Sequence, residues 1–257
     1  MLAHAIDFHV HTRVSPDGLD TPEAVVAQAK RAGLSGIAIT DHDRSQGYRR
    51  LVALGLADPS GQPVDGFLVV PGVEVSCVEG HLLVLGATFD AAAGVRARDV
   101  IARAHDLGAL AVAAHPMDRS RSGMGAAAMD RLDLDGVEAF NSKTLDRASN
   151  RAAMHYARAR GLTALGGSDA HIRAAVGRAH TRVNCPELTV RSVLGAVAAG
   201  RTEVAQGLHT IVEVAHAWAR GWLTRPWVFE MCARAAANAR RRRVDAAPRG
   251  PVLGAGH

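Results

Sequence analysis

The stretch Ile6-Asp7-Phe8-His9-Val10-His11 decides how this chain is read. It is an apolar run that ends in two histidines one residue apart. In an extended strand residues i and i+2 point the same way, so His9 and His11 can bring two imidazoles to one metal ion at the strand's end. A lone His-x-His says little; its weight here comes from recurrence. Gly36 to Thr40 is followed directly by Asp41-His42-Asp43, and Phe67 to Val75 carries Glu74. Leu110 to Ala114 ends at His115-Pro116, Gly136 to Phe140 ends at Asn141, and Thr163 to Gly166 leads into Gly167-Ser168-Asp169-Ala170-His171.

Between these runs lie helical signals. Thr21 and Pro22 read as N-cap and first residue of a helix that Gly33 stops. Further helices are predicted over residues 45–56, 95–107, 126–131, 145–160 and 190–199. Ser76 to Gly80 is too short for a parallel crossover, which takes roughly a dozen residues. His81 to Leu85 is therefore predicted to return as a hairpin, with His81 coming near Glu74. Strands and helices that alternate, with chemistry at the strands' carboxyl ends, predict an α/β barrel. A doubly wound sheet would also gather residues there, but no Gly-x-Gly-x-x-Gly follows the first strand.

The 257 residues fit one barrel domain, and 48% hydrophobic with 4% aromatic residues implies a core of Ala, Val, Leu and Ile. Three cysteines, Cys77, Cys185 and Cys232, without repeated spacing imply free thiols in a reducing compartment and no thiolate zinc site. No leader or membrane-spanning run is read, so a soluble cytoplasmic protein without membrane partners is expected. The formal charge of +5 is supplied largely by Arg240 to Arg243, which leaves the body near neutral. A nucleic-acid surface is thus not implied. Residues 1–205 are expected to form the barrel, and 206–257 a helical tail carrying Trp218, Trp222 and Trp227. That tail would cover the barrel or a partner subunit in a homo-oligomer. His105, His155, His180 and His209 read as ordinary core histidines, and Cys77 as an inert small residue.

Taken in order, Asp7-Phe8-His9-Val10-His11-Thr12 with Ser15-Pro16-Asp17-Gly18, Ile39-Thr40-Asp41-His42-Asp43, Pro71-Gly72-Val73-Glu74, Ala114-His115-Pro116, Val137-Glu138-Ala139-Phe140-Asn141-Ser142 and Gly167-Ser168-Asp169-Ala170-His171 resemble the PHP (polymerase and histidinol phosphatase) family of metal-dependent phosphoesterases. The resemblance implies a distorted barrel of about seven strands, of (β/α)7 type, with two or three divalent metal ions. It makes His9, His11, Glu74 and Asp169 ligands of a first ion. Glu74 would bridge to a second ion with His81 and His115, and Asp17, His42 and His171 would hold a third. Glu74, Asp17 and His42 are the residues it implicates in catalysis.

Imidazole and carboxylate donors suit Zn²⁺, Mn²⁺ or Fe²⁺. Two ions bridged by a carboxylate can activate a water between them. Three divalent ions outweigh the charges of Asp17, Glu74 and Asp169, so the site should prefer an anion. Lys143, Arg178 and Arg119 are candidates to clamp its phosphate oxygens. Asn141 is a candidate substrate or outer hydrogen bonder. Asp41 and Asp43 are expected to orient His42 or to cap the next helix. The expected activity is hydrolysis of a phosphate ester of a small metabolite or nucleotide, including the terminal nucleotide of a short oligonucleotide. A nuclease on longer nucleic acid and a non-catalytic scaffold are the alternatives.

Overall fold

Strand β1 (Leu2–Val10) is the hub of the sheet, its first half, Leu2 to Ile6, paired on one side and its second half, Ile6 to Val10, on the other. The structure, a computed structural model, describes residues 2–144 and 146–209. Leu145, the tail from Thr210 with its three tryptophans and Arg240 to Arg243, and Cys232 lie outside the described residues. Eight strands follow: β2 (Gly36–Ile39), β3 (Leu68–Ser76), β4 (His81–Leu85), β5 (Leu110–Ala113), β6 (Gly136–Asn141), β7 (Thr163–Gly167), β8 (His180–Cys185) and β9 (Thr202–Ala205). The helices are α1 (Pro22–Arg31), α2 (Gln46–Ala53), α3 (Ala97–Asp106), α4 (Ala126–Met129), α5 (Arg147–Arg160) and α6 (Val190–Ala198). None among the described residues is long and apolar enough to cross a membrane.

The strands form one sheet in the order β7-β6-β5-β4-β3-β2-β1-β8-β9. It curls until its ends nearly meet. At the carboxyl end the backbone of Asp169 donates to His9 O at 2.7 Å, and that of His11 to Ala170 O at 2.9 Å. At the far side the Thr181 hydroxyl accepts from Gly166 N at 2.8 Å and donates to Gly166 O at 3.0 Å, tying β7 to β8. This is the barrel-shaped α/β sheet that the alternation predicts. The β3–β4 hairpin is also present, with Ser76 opposite His81 and Glu74 opposite Leu83.

Two features differ from the sequence reading. The sheet has nine strands instead of about seven, because β8 runs back along β1 and pairs with the four-residue β9. Four residues are too few for a periodic signal. In addition, β1 carries a register shift between Asp7 and Val10. Ile6 and Phe8 join the interior cluster with Leu68, Val70, Leu83 and Leu85, whereas Val10 packs outward with Val25, Val26 and Leu51. The irregularity changes which face the strand presents just where the histidines begin. Helix α6 adds Val193, Leu194 and Val197 to the interior cluster beside Gly86, closing the end opposite the histidines.

Helix starts follow local chemistry. Thr21 caps α1 through its hydroxyl to Ala24 N, with Pro22 following. Asp146 caps α5 through Ala148 N and Ser149 N, and Gly161 ends that helix at φ 65°.

Candidate metal centre

The strand ends converge on Glu74. From β1, His9 Nε2 lies 3.3 Å and His11 Nε2 3.2 Å from Glu74 Oε2, and the two nitrogens are 3.0 Å apart. Asp169 Oδ1, just past β7, stands 3.8 Å from His9 Nε2 and 3.5 Å from His11 Nε2. Donors about 2.0–2.2 Å from a tetrahedral ion are about 3.3–3.6 Å apart; the distances here bracket that range, and His9, His11 and Glu74 are close enough to share an ion, with Asp169 beside them. Neither Glu74 Oε2 nor Asp169 Oδ1 has a hydrogen-bond partner, although both are buried. Buried carboxylate oxygens left without one are costly unless a cation meets them. The donor set and these two oxygens fit a bound divalent metal.

The other oxygen of Glu74 faces the hairpin. Its Oε1 is 2.9 Å from His81 Nδ1 and 3.2 Å from His115 Nε2. The hairpin thus places His81 on the glutamate, and the carboxylate lies between two donor groups. Asp17 Oδ2 is 2.8 Å from His171 Nε2, while His42 Nε2 is 3.8 Å from Asp17 Oδ1. His42 also turns Nδ1 to Glu74 Oε2 at 3.1 Å, so its ring stands between the Asp17 and Glu74 groups. All nine residues that the resemblance marks as ligands come together in one place. His11, His42 and His171, like His42, Glu74 and His81, are close enough to share an ion.

A buried outer layer fixes these rings. Glu138, which the sequence reading passed over, accepts from His9 Nδ1 at 3.0 Å and from His115 N at 2.7 Å. A Cβ at Gly167 would stand against Glu138 Oε1 and 2.6 Å from His9 Cβ, so only glycine lets β7 pass this pair. Ser15 gives its hydroxyl proton to Asp41 Oδ1 at 2.8 Å, so its oxygen accepts from His11 Nδ1 at 3.0 Å. Both arrangements hold the proton on Nδ1 and turn Nε2 to the centre. Asp41 therefore orients the His11 loop, taking Thr12 N as well, and Asp43 accepts from Ser76 N. Neither caps α2, whose N-cap Ser45 makes no side-chain cap bond. Asp169 (φ 52°) and His115 (φ 29°) adopt a backbone conformation rare outside glycine, strain of the kind found at functional sites.

The charges are coupled. Burial would raise Glu74, but His42, His9, His11 and His115 hold it well below the usual carboxylate range. Burial acts the same way on Asp169, and Arg121, His9 and Lys143 hold it well below. Burial alone would deprotonate His11, yet the carboxylates of Asp169 and Glu74 beside it lift it to about 9. His171 is pushed down to about 3 by burial, Lys143 and His11, which keeps its ring neutral. Burial likewise lowers His42 and His115. Without a cation, the carboxylates are thus balanced by protons on the first strand's imidazoles.

Of the expected substrate contacts, Lys143 Nζ reaches His171 Nδ1 at 3.1 Å and Asp169 Oδ1 at 3.8 Å. Asn141 donates to Asp169 Oδ2 and to Glu138 Oε2, both at 2.9 Å. Arg119 is exposed on the 3-10 turn Arg119–Arg121, and the arginine that reaches the site is Arg121. It donates to Asn141 Oδ1 at 3.0 Å and to Asp169 Oδ2. A loop without periodicity gives no signal for choosing between arginines two residues apart. Arg178 is exposed. His155, expected in the core, is exposed as well.

Fold and site together define an α/β barrel whose strand ends gather histidines and carboxylates able to hold metal ions. Comparison with known proteins supplies the family. The PHP domain matches residues 7–57, and the PHP-associated domain residues 147–202. The chain is 31% identical over 159 residues to an uncharacterized protein of Methanocaldococcus jannaschii, covering 58% of this chain and 88% of that one. It belongs to the PHP family. The fold resembles a two-domain protein of Bacteroides vulgatus described as containing a predicted PHP-like metal-dependent phosphoesterase. There the TM-score is 0.66 and the identity 21%, over 80% of this chain and 65% of that one. A lesion-specific endonuclease of Pyrococcus furiosus aligns at TM-score 0.61 and 19% identity, over 79% of this chain and 58% of that one. The chain thus spans about two thirds or less of these two structures.

Proposed function

We propose that this protein is a phosphoesterase that uses two or three divalent ions, Zn²⁺, Mn²⁺ or Fe²⁺, to hydrolyse a phosphate ester of a small metabolite or nucleotide. His9, His11, Glu74 and Asp169 would hold the first ion; Glu74, His81 and His115 the second; Asp17, His42 and His171 the third. Bound there, the ions supply Lewis acidity and neutralise charge. The chain's own residues do the rest. Asn141 and Arg121 occupy Asp169 Oδ2 and so leave Oδ1 for the ion, while Glu138 and Ser15 keep the imidazoles turned inward.

The observation that carries the choice of a phosphate ester is the pair of cations at the rim. Arg121 and Lys143 both lean on Asp169, and burial already depresses the ammonium of Lys143. An ion on Asp169 Oδ1 would take that oxygen from Lys143, leaving its ammonium in want of an anion, and a phosphoryl oxygen answers that need. Lys143 offers a point charge, and Arg121, held by Asn141 and Asp169, adds a fixed positive charge beside it. Their field would stabilise negative charge that grows on those oxygens during attack.

A phosphate-release screen tests this. It covers sugar phosphates, histidinol phosphate, mono- and bisphosphorylated nucleotides and short oligonucleotides, each with added Mn²⁺ or Zn²⁺. Release by the parent, falling more than about 100-fold in Asp169→Asn, is the expected result. Equal release from both would remove the assignment. Protein purified without added metal should carry at least one ion per chain; less than one, with no release, would favour a scaffold.

A further inference from the structure

Outside the metal centre, one feature of the structure calls for a ligand. Helix α5 presents Arg147, Arg151, His155 and Arg158 to a groove of about 640 Å³, whose opposite wall is Gln206–Leu208. The spacing of four, four and three residues puts these four side chains on one helix face. Several arginines elsewhere on the surface find carboxylates, as Arg49 does with Asp90, Arg50 with Glu23 and Arg160 with Asp130. Among the described residues, Arg147, Arg151 and Arg158 have no carboxylate within 4 Å. No acidic residue lines the groove. The nearby Asp146 is committed to the backbone of Ala148 and Ser149.

The groove adjoins the metal centre. Ser142 Oγ donates to Gly207 O at 2.6 Å, which fixes the far wall to the residue between Asn141 and Lys143. Asn150, which also lines the groove, accepts from Asn141 N at 3.0 Å and donates to Asn141 O at 3.1 Å. Asn141 in turn holds Asp169. A molecule in the groove would therefore lie one strand end from the reacting phosphate.

We infer that this groove binds the phosphates of a short single-stranded nucleic-acid segment whose terminal phosphate ester enters the metal centre. The inference rests on the phosphoesterase reading and names its substrate class. A single phosphate would need one or two arginines. Here the cations run about 16 Å from Arg147 to Arg158 along the helix axis, which suits a chain of several phosphates. Phe140 in the groove wall offers a ring for a base to stack on. The chain's own tail is a poor occupant by charge, since residues 210–257 contain eight arginines and only three acidic residues.

The test is fluorescence anisotropy of the full chain in EDTA with a labelled, 5′-phosphorylated heptadeoxythymidylate, competed by thymidine monophosphate. The parent is expected to bind the heptamer at least tenfold more tightly than the mononucleotide. Arg151→Glu with Arg158→Glu should weaken heptamer binding at least tenfold and mononucleotide binding less than twofold. Arg151→Gln with Arg158→Gln should flatten the plot of log affinity against log salt by about 1.4, two single-strand contacts' worth. Equal affinity of parent and variants for the heptamer would overturn the groove, and so would a heptamer that binds no better than the mononucleotide. Failure of the phosphoesterase reading shows separately, as phosphate release that survives Asp169→Asn.

Discussion

Glu138 touches no substrate position, yet it decides how His9 and His115 are held. Replacing it by glutamine keeps the shape but turns an amide toward an N–H donor. Glu138→Gln is therefore expected to weaken binding of the first ion about 10–100-fold, measured by competition with a chelating dye. An unchanged affinity would mean that Glu138 fills space only. In the sequence Glu138 is one acidic residue inside a buried strand run, which is itself the signal that was available: a carboxylate there needs a partner. Most of the candidate ligands were legible because they stand at or just past the end of an apolar run, whereas Asp17, in a turn, rests on the family resemblance and His81, at the start of a strand, on the hairpin. Arg121 was not, because an irregular loop carries no period. Cys77 is a second case at this scale. Burial, with Glu79 and Asp43 nearby, pushes its thiol up to about 12. At pH 8 the thiolate is then a tiny fraction, so iodoacetamide should leave the Cys77 peptide unlabelled in the folded chain and label it in urea. Rapid labelling in the folded chain would contradict this environment.

At the scale of elements, the β3–β4 hairpin is what delivers His81 to Glu74, and its tightness depends on Gly80. That residue sits at φ 142°, and a Cβ there would stand 2.5 Å from Ser122 O and 2.8 Å from Met124 N. Gly80→Ala must push the hairpin off the loop that carries Arg121. A loss of about 1–3 kcal/mol in urea unfolding is expected, with a weaker second metal site in titration calorimetry. Unchanged metal stoichiometry and stability would show that the hairpin adapts freely. The hairpin was readable from arithmetic alone, since five residues cannot cross over. The shift in β1 was not, because alternation counts residues and does not see a register change between Asp7 and Val10. Nor was β9, whose pairing with β8 is decided by the fold around it.

Across the whole molecule, charge explains what the sequence total concealed. A near-neutral body gave no reason to look for a basic surface, but a sum over residues has no geometry, and α5 gathers its arginines on one face. Charge also sets how the metal-free protein responds to pH. His11 has a folded value of about 9 against an ordinary 6.5, so its proton stabilises the fold. That contribution is complete below about 6.5 and is lost as pH rises through 9. In EDTA the melting temperature should be lower at pH 9.5 than at pH 6 by on the order of 5 °C. Added Mn²⁺ should remove most of the difference, because a cation bound there would replace the proton between Glu74 and Asp169. A melting temperature that rises over that range in EDTA would show that the carboxylate cluster does not hold those protons.

If the proposed centre is right, Glu74 would hold a cation on each of its two oxygens. Anomalous diffraction at the manganese edge, from crystals grown with Mn²⁺, addresses it directly. Two peaks are expected, one among His9, His11 and Asp169 and the other beside His81 and His115. A map with no peak within coordination distance of Glu74 would contradict the account.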